Sequence, residues 1–259
     1  MKKKILIALG IILVLAVVAV VVVVLFLGNI IKAGMETVGP KITQTPWQVD
    51  SVSVSLLGGS AAVKGLVLGN PAGYKSAQAI RVGQAAVSVV PGSLLANKIV
   101  IRSVTVNAPE ITFEGNPFGA NNLKKIMDNV NAMASAPATN APATGSAVQK
   151  PAKKLEVDDL LITGAQVHVS LLTGLTTQEM TLPLPPIHLT NLGKDNDGIT
   201  PAELTREVLG QVTTATFKAV GGAVSDLGKG AADAVKDTGH AVGEGVNKIG
   251  KGLGGLFGK

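Results

Sequence analysis

Apolar and polar positions along this chain follow several distinct rhythms, and each predicts a different element. The first is no rhythm at all: Ile5 to Leu27 is an unbroken run without one charge. As a helix it extends roughly 34 Å, enough to cross the hydrocarbon core of a bilayer. A cleaved leader has an apolar region of about 7–15 residues and ends in an A-x-A-like site. This run is longer and closes with Leu25-Phe26-Leu27-Gly28-Asn29-Ile30-Ile31, so a retained transmembrane helix is expected. Lys2, Lys3 and Lys4 precede Ile5, and only Lys32 lies just beyond Leu27. That bias keeps the amino terminus cytoplasmic and carries the remaining chain across the membrane.

From 47 to 114 the rhythm has period two. Val52, Val54 and Leu56 alternate with Ser51, Ser53 and Ser55, a half-buried strand, and Gly58-Gly59 turns the chain. Ala61 to Leu68 reads as a second strand ending in Gly69-Asn70-Pro71-Ala72-Gly73, and Val87 and Val89 mark a third, closed by Pro91-Gly92. The run that follows has apolar pairs at Ile99/Ile101, Val104/Val106 and Ile111/Phe113. A later run has them at Leu155/Val157, Leu160/Ile162 and Val167/Val169, each fifty-six residues after its counterpart. In both, the parity of inward positions flips, at Arg102-Ser103 and at Asp158-Asp159, which calls for a bulge or bend. A turn-prone pair follows each, Ala108-Pro109 and Gly164-Ala165. The spacing predicts an internal repeat, a bent β-hairpin used twice.

Between the copies, Leu123, Ile126, Met127 and Val130 have helical spacing, which predicts an amphipathic helix over 121–133. Residues 134–154 are Ala, Pro, Thr, Ser and Lys with little to bury and read as a mobile linker. Residues 176–182 and 185–192 read as a further strand pair, kept near a sheet edge by Pro183, Pro185 and Pro186. Thr200-Pro201-Ala202-Glu203 is a capping box with proline at N1, opening a helix over 201–220 that buries Leu204, Val208, Val212 and Ala215. In the Gly-rich tail, 221–259, apolar residues recur with an eleven-residue period from Val224 to Leu253. Glycine weakens a helix by about 1 kcal/mol per position, so the tail is either a helix formed on an apolar surface or a disordered segment. On a membrane its deepest residues would be Leu253, Leu256 and Phe257.

Charge changes this picture little. The net charge is +6, and three of those charges are the leading lysines. With one Trp and one Tyr there is no basic, aromatic-interleaved patch for nucleic acid. There is no cysteine, hence no disulfide and no thiolate metal site. His168, His188 and His240 lie far apart, and no nucleophile elbow, P-loop, dinucleotide fingerprint or zinc-protease helix is present. Asp158-Asp159 are adjacent on a strand and so face opposite ways, and Asp195-Asn196-Asp197-Gly198 lacks the glutamate of a calcium loop. The expectation is a protein that is not an enzyme and carries no cofactor or metal.

Several pieces agree with one family in order and spacing. They are Val38-Gly39-Pro40-Lys41-Ile42 after the anchor, Gly65-Leu66-Val67-Leu68-Gly69-Asn70-Pro71-Ala72-Gly73-Tyr74, Ser93-Leu94-Leu95-Ala96-Asn97-Lys98-Ile99-Val100-Ile101, Pro109-Glu110-Ile111-Thr112-Phe113-Glu114 and Asn121-Asn122-Leu123. Over Val38 to Val130 the chain resembles the amino-terminal region of the AsmA family of bacterial envelope proteins. The resemblance implies a β-taco or groove fold related to bridge-like lipid transporters. It also implies a role in envelope lipid homeostasis from the periplasmic side of the inner membrane. Large members have many more β repeats than this chain.

The expected protein is thus mainly β with α. An anchor (1–31) precedes a curved antiparallel sheet domain (32–200), the amphipathic helix and the tail. Its lipid groove would be lined by Val52, Val54, Leu66, Leu68, Val87, Val89, Ile99, Ile101, Val104 and Val106. Its partners would be membrane lipids. The alternative is an envelope scaffold whose sheet is a closed core and whose tail binds a partner protein or another copy.

Overall fold

A computed structural model of the chain describes residues 2–55, 58–117, 119–135, 153–173, 176–195 and 197–226; within these, the side chains of 2–9, 13, 16–25 and 171–178 lie outside the description. It begins with one helix, α1 (Lys2–Thr43), longer than the expected anchor by the stretch that reaches into the domain. Pro40 sits in its last turn, and Gln44 ends it in the left-handed region (φ 55°), donating its N–H to the Pro40 carbonyl at 2.9 Å. Among the described residues no helix is long and apolar enough to cross a membrane. Most side chains of the Ile5–Leu27 run, the expected transmembrane span, lie outside the described residues.

The strands are β1 (Trp47–Gln48), β2 (Ser51–Ser55), β3 (Ser60–Gly69), β4 (Gln78–Val89), β5 (Lys98–Asn107), β6 (Glu110–Glu114), β7 (Lys154–Thr163), β8 (Gln166–Thr173), β9 (Thr176–Pro183) and β10 (Ile187–Leu192). They form one ten-stranded sheet, yet their registers reduce it to six long lanes. β5 and β6 both run antiparallel to β4 in a single register, Gln84↔Asn107 and Arg81↔Glu110, as one strand with a crease. β9 and β10 likewise continue one another along β8 and β7, Val167↔Leu182 and Ile162↔Ile187, and form the edge lane that their prolines predict. Neither pair is a hairpin, which corrects the expected repeat unit and the expected strand pair. Ala108-Pro109 redirects the chain by one residue at φ 45° instead of reversing it.

The sheet is also mixed, not antiparallel throughout. β5 pairs with β7 and β6 with β8 in parallel, Val104↔Leu160 and Ile111↔Val167, so the fifty-six-residue repeat becomes a side-by-side register. A parallel neighbour requires a crossover connection. The chain between β6 and β7, which includes α2 (Asn122–Ala134), supplies it.

Two creases cross the lanes. At the first, β4 and β5 shift register between Ser88 and Val89, leaving Arg102 unopposed. The β5–β7 ladder breaks at the same level, Ile101↔Val157 giving way to Val104↔Leu160, and Asn191, facing that level from β10, has φ 57°. This is where the parity of the sequence flips. The second crease passes through Gly65, Gly83, Ala108 and Gly164, each opposite the next in register. Ala108 and Gly164 share the left-handed conformation (φ 45° and 64°), so the two copies bend at one joint made once with alanine and once with glycine.

By its contacts the chain divides into two compact units, Met1–Thr216 and Phe217–Lys259. In the first, α2 packs against α1 and β6. Leu123, Ile126 and Val130 from α2 are buried along with Ile111, Phe113, Val167 and Val169. Asn121 caps α2, its side chain accepting from the Lys124 N–H at 2.8 Å. A third helix, α3, spans 201–226 and starts at the expected capping box: Thr200 Oγ1 accepts from Glu203 N at 3.2 Å and Glu203 Oε2 from Thr200 N at 2.7 Å. Of the second unit, the described part is the last turns of α3. The expected linker from 136 to 152 and the expected tail beyond 226, Leu253, Leu256 and Phe257 included, lie outside the described residues.

Candidate functional site: an apolar cavity under a helix

Residues directly opposed across a ladder share a face. The registers therefore extend two expected groove positions into full rows: Val52–Val63–Ala85–Val106–Ile162–Ile187 and Val54–Ala61–Val87–Val104–Leu160–Leu189. Residues 201–216 of α3 do not leave this face bare. Leu204, Val208 and Val212, spaced to lie along one side of the helix, look onto it across a cavity of about 290 Å³.

The cavity takes its walls from the middle lanes. Of the ten expected groove residues, Leu66, Leu68, Val104 and Val106 line it. Val52, Val54, Val87, Val89, Ile99 and Ile101 do not; they lie toward the β2 edge or beyond the first crease. Among the residues missed, Leu160, Ile162 and Ala165 were available from the repeat, since they are Val104, Val106 and Pro109 moved on by its period. Ile80, Val82 and Ile111 needed the registers of β4 and β6, and Ile187 that of β10. Trp47 closes one side.

The wall offers almost nothing polar. The Trp47 Nε1 donates outward to Thr43 Oγ1 at 2.9 Å, and the Thr205 hydroxyl donates to the Pro201 carbonyl of its own helix at 2.7 Å. With both side-chain groups engaged, an occupant is held by apolar contact alone. Each methylene moved from water into such a space contributes about 0.8 kcal/mol. A volume near 300 Å³ sits at the lower end of small-molecule sites. Its wall offers an occupant no free side-chain hydrogen-bonding group.

A second cluster braces the far end of β3–β4. The Glu114 carboxylate accepts from the N–H groups of Lys75 (2.6 Å) and Ser76 (2.8 Å). The buried Asn122 amide donates to Asn70 Oδ1 (2.8 Å) and the Thr112 carbonyl (2.7 Å) and accepts from Glu114 N (3.0 Å). Burial pushes the Glu114 carboxyl up, but the backbone N–H groups of Lys75 and Ser76, then the Ser76 hydroxyl and the Lys75 ammonium, outweigh it and hold it below the usual carboxylate value. Asn129 donates to the Thr43 carbonyl at 2.9 Å, tying α2 to the end of α1. These side chains hold the domain together and are all engaged, so the cluster is a brace.

Asp159 meets His188 Nε2 at 2.5 Å on the exposed side of β7 and β10, and Asp158 takes no part in that bond. Among the described residues no group of His, Asp and Glu is placed to hold a metal ion. No curated protein matches the chain. A family model described as the AsmA family matches residues 1–173.

Proposed function

The chain belongs to the AsmA family, and from that premise and the cavity we propose a membrane-anchored module of the bacterial envelope that binds and passes on membrane lipids by their acyl chains. It works without covalent chemistry, from the periplasmic face of the inner membrane, with its amino terminus in the cytoplasm. The observation that carries this reading is a cavity whose wall is apolar and whose two side-chain polar groups are engaged elsewhere. The anchor is supported by α1 itself. Its described apolar side chains Ile11, Ile12, Val14, Leu15 and Phe26 are 57–63% exposed, so none of the described residues covers them. In water such a surface is costly, and in a bilayer it is satisfied.

Val208→Phe tests the cavity, because it fills the space from the α3 side. The full chain purified in mild detergent is expected to carry phospholipid, and Val208→Phe to lose most of it while keeping or slightly raising its melting temperature. A wild-type chain free of lipid, with Val208→Phe simply more stable, would leave a packing void and end the lipid reading.

A scaffold role is favoured by one observation: α3 lies over the sheet, as it would over a closed core. In that case polar substitution at Val104 unfolds the domain. A lipid site instead tolerates Val104→Thr and releases the lipid.

A further inference from the structure

α1 and the lane formed by β1 and β2 run side by side and antiparallel. Gly39 lies against the Trp47 ring, Glu36 Oε1 accepts from Val49 N (2.9 Å), Lys32 Nζ donates to the Asp50 carbonyl (3.2 Å), and at Gly28 a Cβ would overlap the Val52 carbonyl oxygen. From Gly39 to Gly28 the helix rises roughly 16 Å, and from Trp47 to Val52 the strand advances about 17 Å. The two axes therefore keep pace.

Gly28 is the first residue past the apolar run; about 20 residues cross the hydrocarbon, so a crossing that starts at Ile5 ends near Val24, about 6 Å from Gly28 toward the amino terminus of α1. β2 continues past Val52 to Ser55, about 10 Å closer to the bilayer. The strand ends at this side of the sheet thus reach the headgroup layer. The Pro91–Leu95 turn belongs to that end, because Val89 N donates to the Gly59 carbonyl (2.7 Å) and a Cβ at Gly59 would come 3.1 Å from Pro91 Cγ.

At its tip stands Leu95, 94% exposed, more than any other large hydrophobic residue so described. The turn is rigid beneath it. Ser93 Oγ donates to the Val90 carbonyl (2.6 Å) and accepts from Val100 N (2.9 Å), and Lys153 Nζ donates to the Leu94 carbonyl (2.6 Å). A rigid turn that presents a bare leucine at the level of a bilayer has an evident occupant.

We propose that the Pro91–Leu95 turn is a second membrane contact, with Leu95 seated in the interface of the bilayer that holds α1. The proposal rests on the anchor reading. One helix leaves a domain free to swivel, whereas a second contact on another lane fixes the sheet's direction relative to the membrane.

The chain has no cysteine, so single labels are clean. The full chain is reconstituted in phosphatidylethanolamine–phosphatidylglycerol vesicles containing a lipid with a quencher high on its acyl chain. A polarity-sensitive fluorophore is placed on Leu95→Cys, on Ala16→Cys within the anchor, or on the exposed Ala72→Cys at the far end of β3–β4. The Ala16 label is read with the quencher placed deeper in the chain. The expected result is strong quenching at positions 95 and 16 and none at 72. Quenching at 16 without quenching at 95 overturns the contact and leaves the anchor. Quenching at neither removes the anchor and the contact together. Equal quenching at 72 and 95 means that the domain lies flat, which also overturns the proposal.

Discussion

Single residues in this protein act mainly by deciding where a strand may bend and where its backbone finds partners. Ala108 adopts φ 45°, a conformation that costs an L-residue about 1–2 kcal/mol and a glycine almost nothing. Ala108→Gly is therefore expected to leave thermal stability unchanged or raise it, whereas Gly164→Ala, at φ 64° with Ala108 at ordinary contact distance, should lower it by about 1 kcal/mol. Paired melting curves decide this. Glu114 is the residue with the clearest acid dependence. Its folded pKa lies below its unfolded one, so its contribution is fully present above the unfolded carboxylate value of about 4.3 and fades as pH falls through the folded pKa. Glu114→Ala should cost about 1–3 kcal/mol at neutral pH in denaturant titrations and should flatten the acid limb of the stability profile. The fold contribution of these residues was only partly legible. Alternation showed that Ile111 and Phe113 face inward, but nothing local shows that Asn122 reaches across to Asn70, fifty-two positions away in the chain.

At the scale of elements, α3 forms the side of the cavity that the sheet lacks. Its start depends on the reciprocal bonds between Thr200 and Glu203, and the backbone N–H of Thr200 is the largest influence holding the Glu203 carboxyl below its usual value. Thr200→Ala is expected to cost about 1 kcal/mol. If the helix is the cavity's roof, lipid should also be lost more readily on dilution from detergent. Unchanged lipid retention with the same loss of stability would separate the roof from the site. The capping box was readable because it is local: four consecutive residues contain the whole interaction. The helix's partner was not readable, because Leu204, Val208 and Val212 state only that one side is apolar. The roof, moreover, lies beyond the family match, which ends at residue 173, the last of β8.

For the molecule as a whole, the continuity of α1 ties the apolar run to the sheet, since a single helix spans Lys2–Thr43. Val18→Lys with Val21→Lys places two charges mid-run, costing about 5–7 kcal/mol in a bilayer. The protein is then expected to leave the membrane fraction on alkaline extraction, where the parent chain stays. What the sequence determined by itself is whatever depends on neighbours within a few residues: strand alternation, the flips at Arg102 and Asp158, the helix cap, the apolar run and the period of fifty-six. Only tertiary structure decided which lanes adjoin and what covers their inner face. Two equal copies can pair antiparallel or in parallel with the same alternation, and the choice rests on a crossover, with α2 in it, that the period does not specify. Whether the inner face is bare or roofed depends on where α3 lands, a packing outcome between segments about a hundred residues apart that no local rhythm encodes.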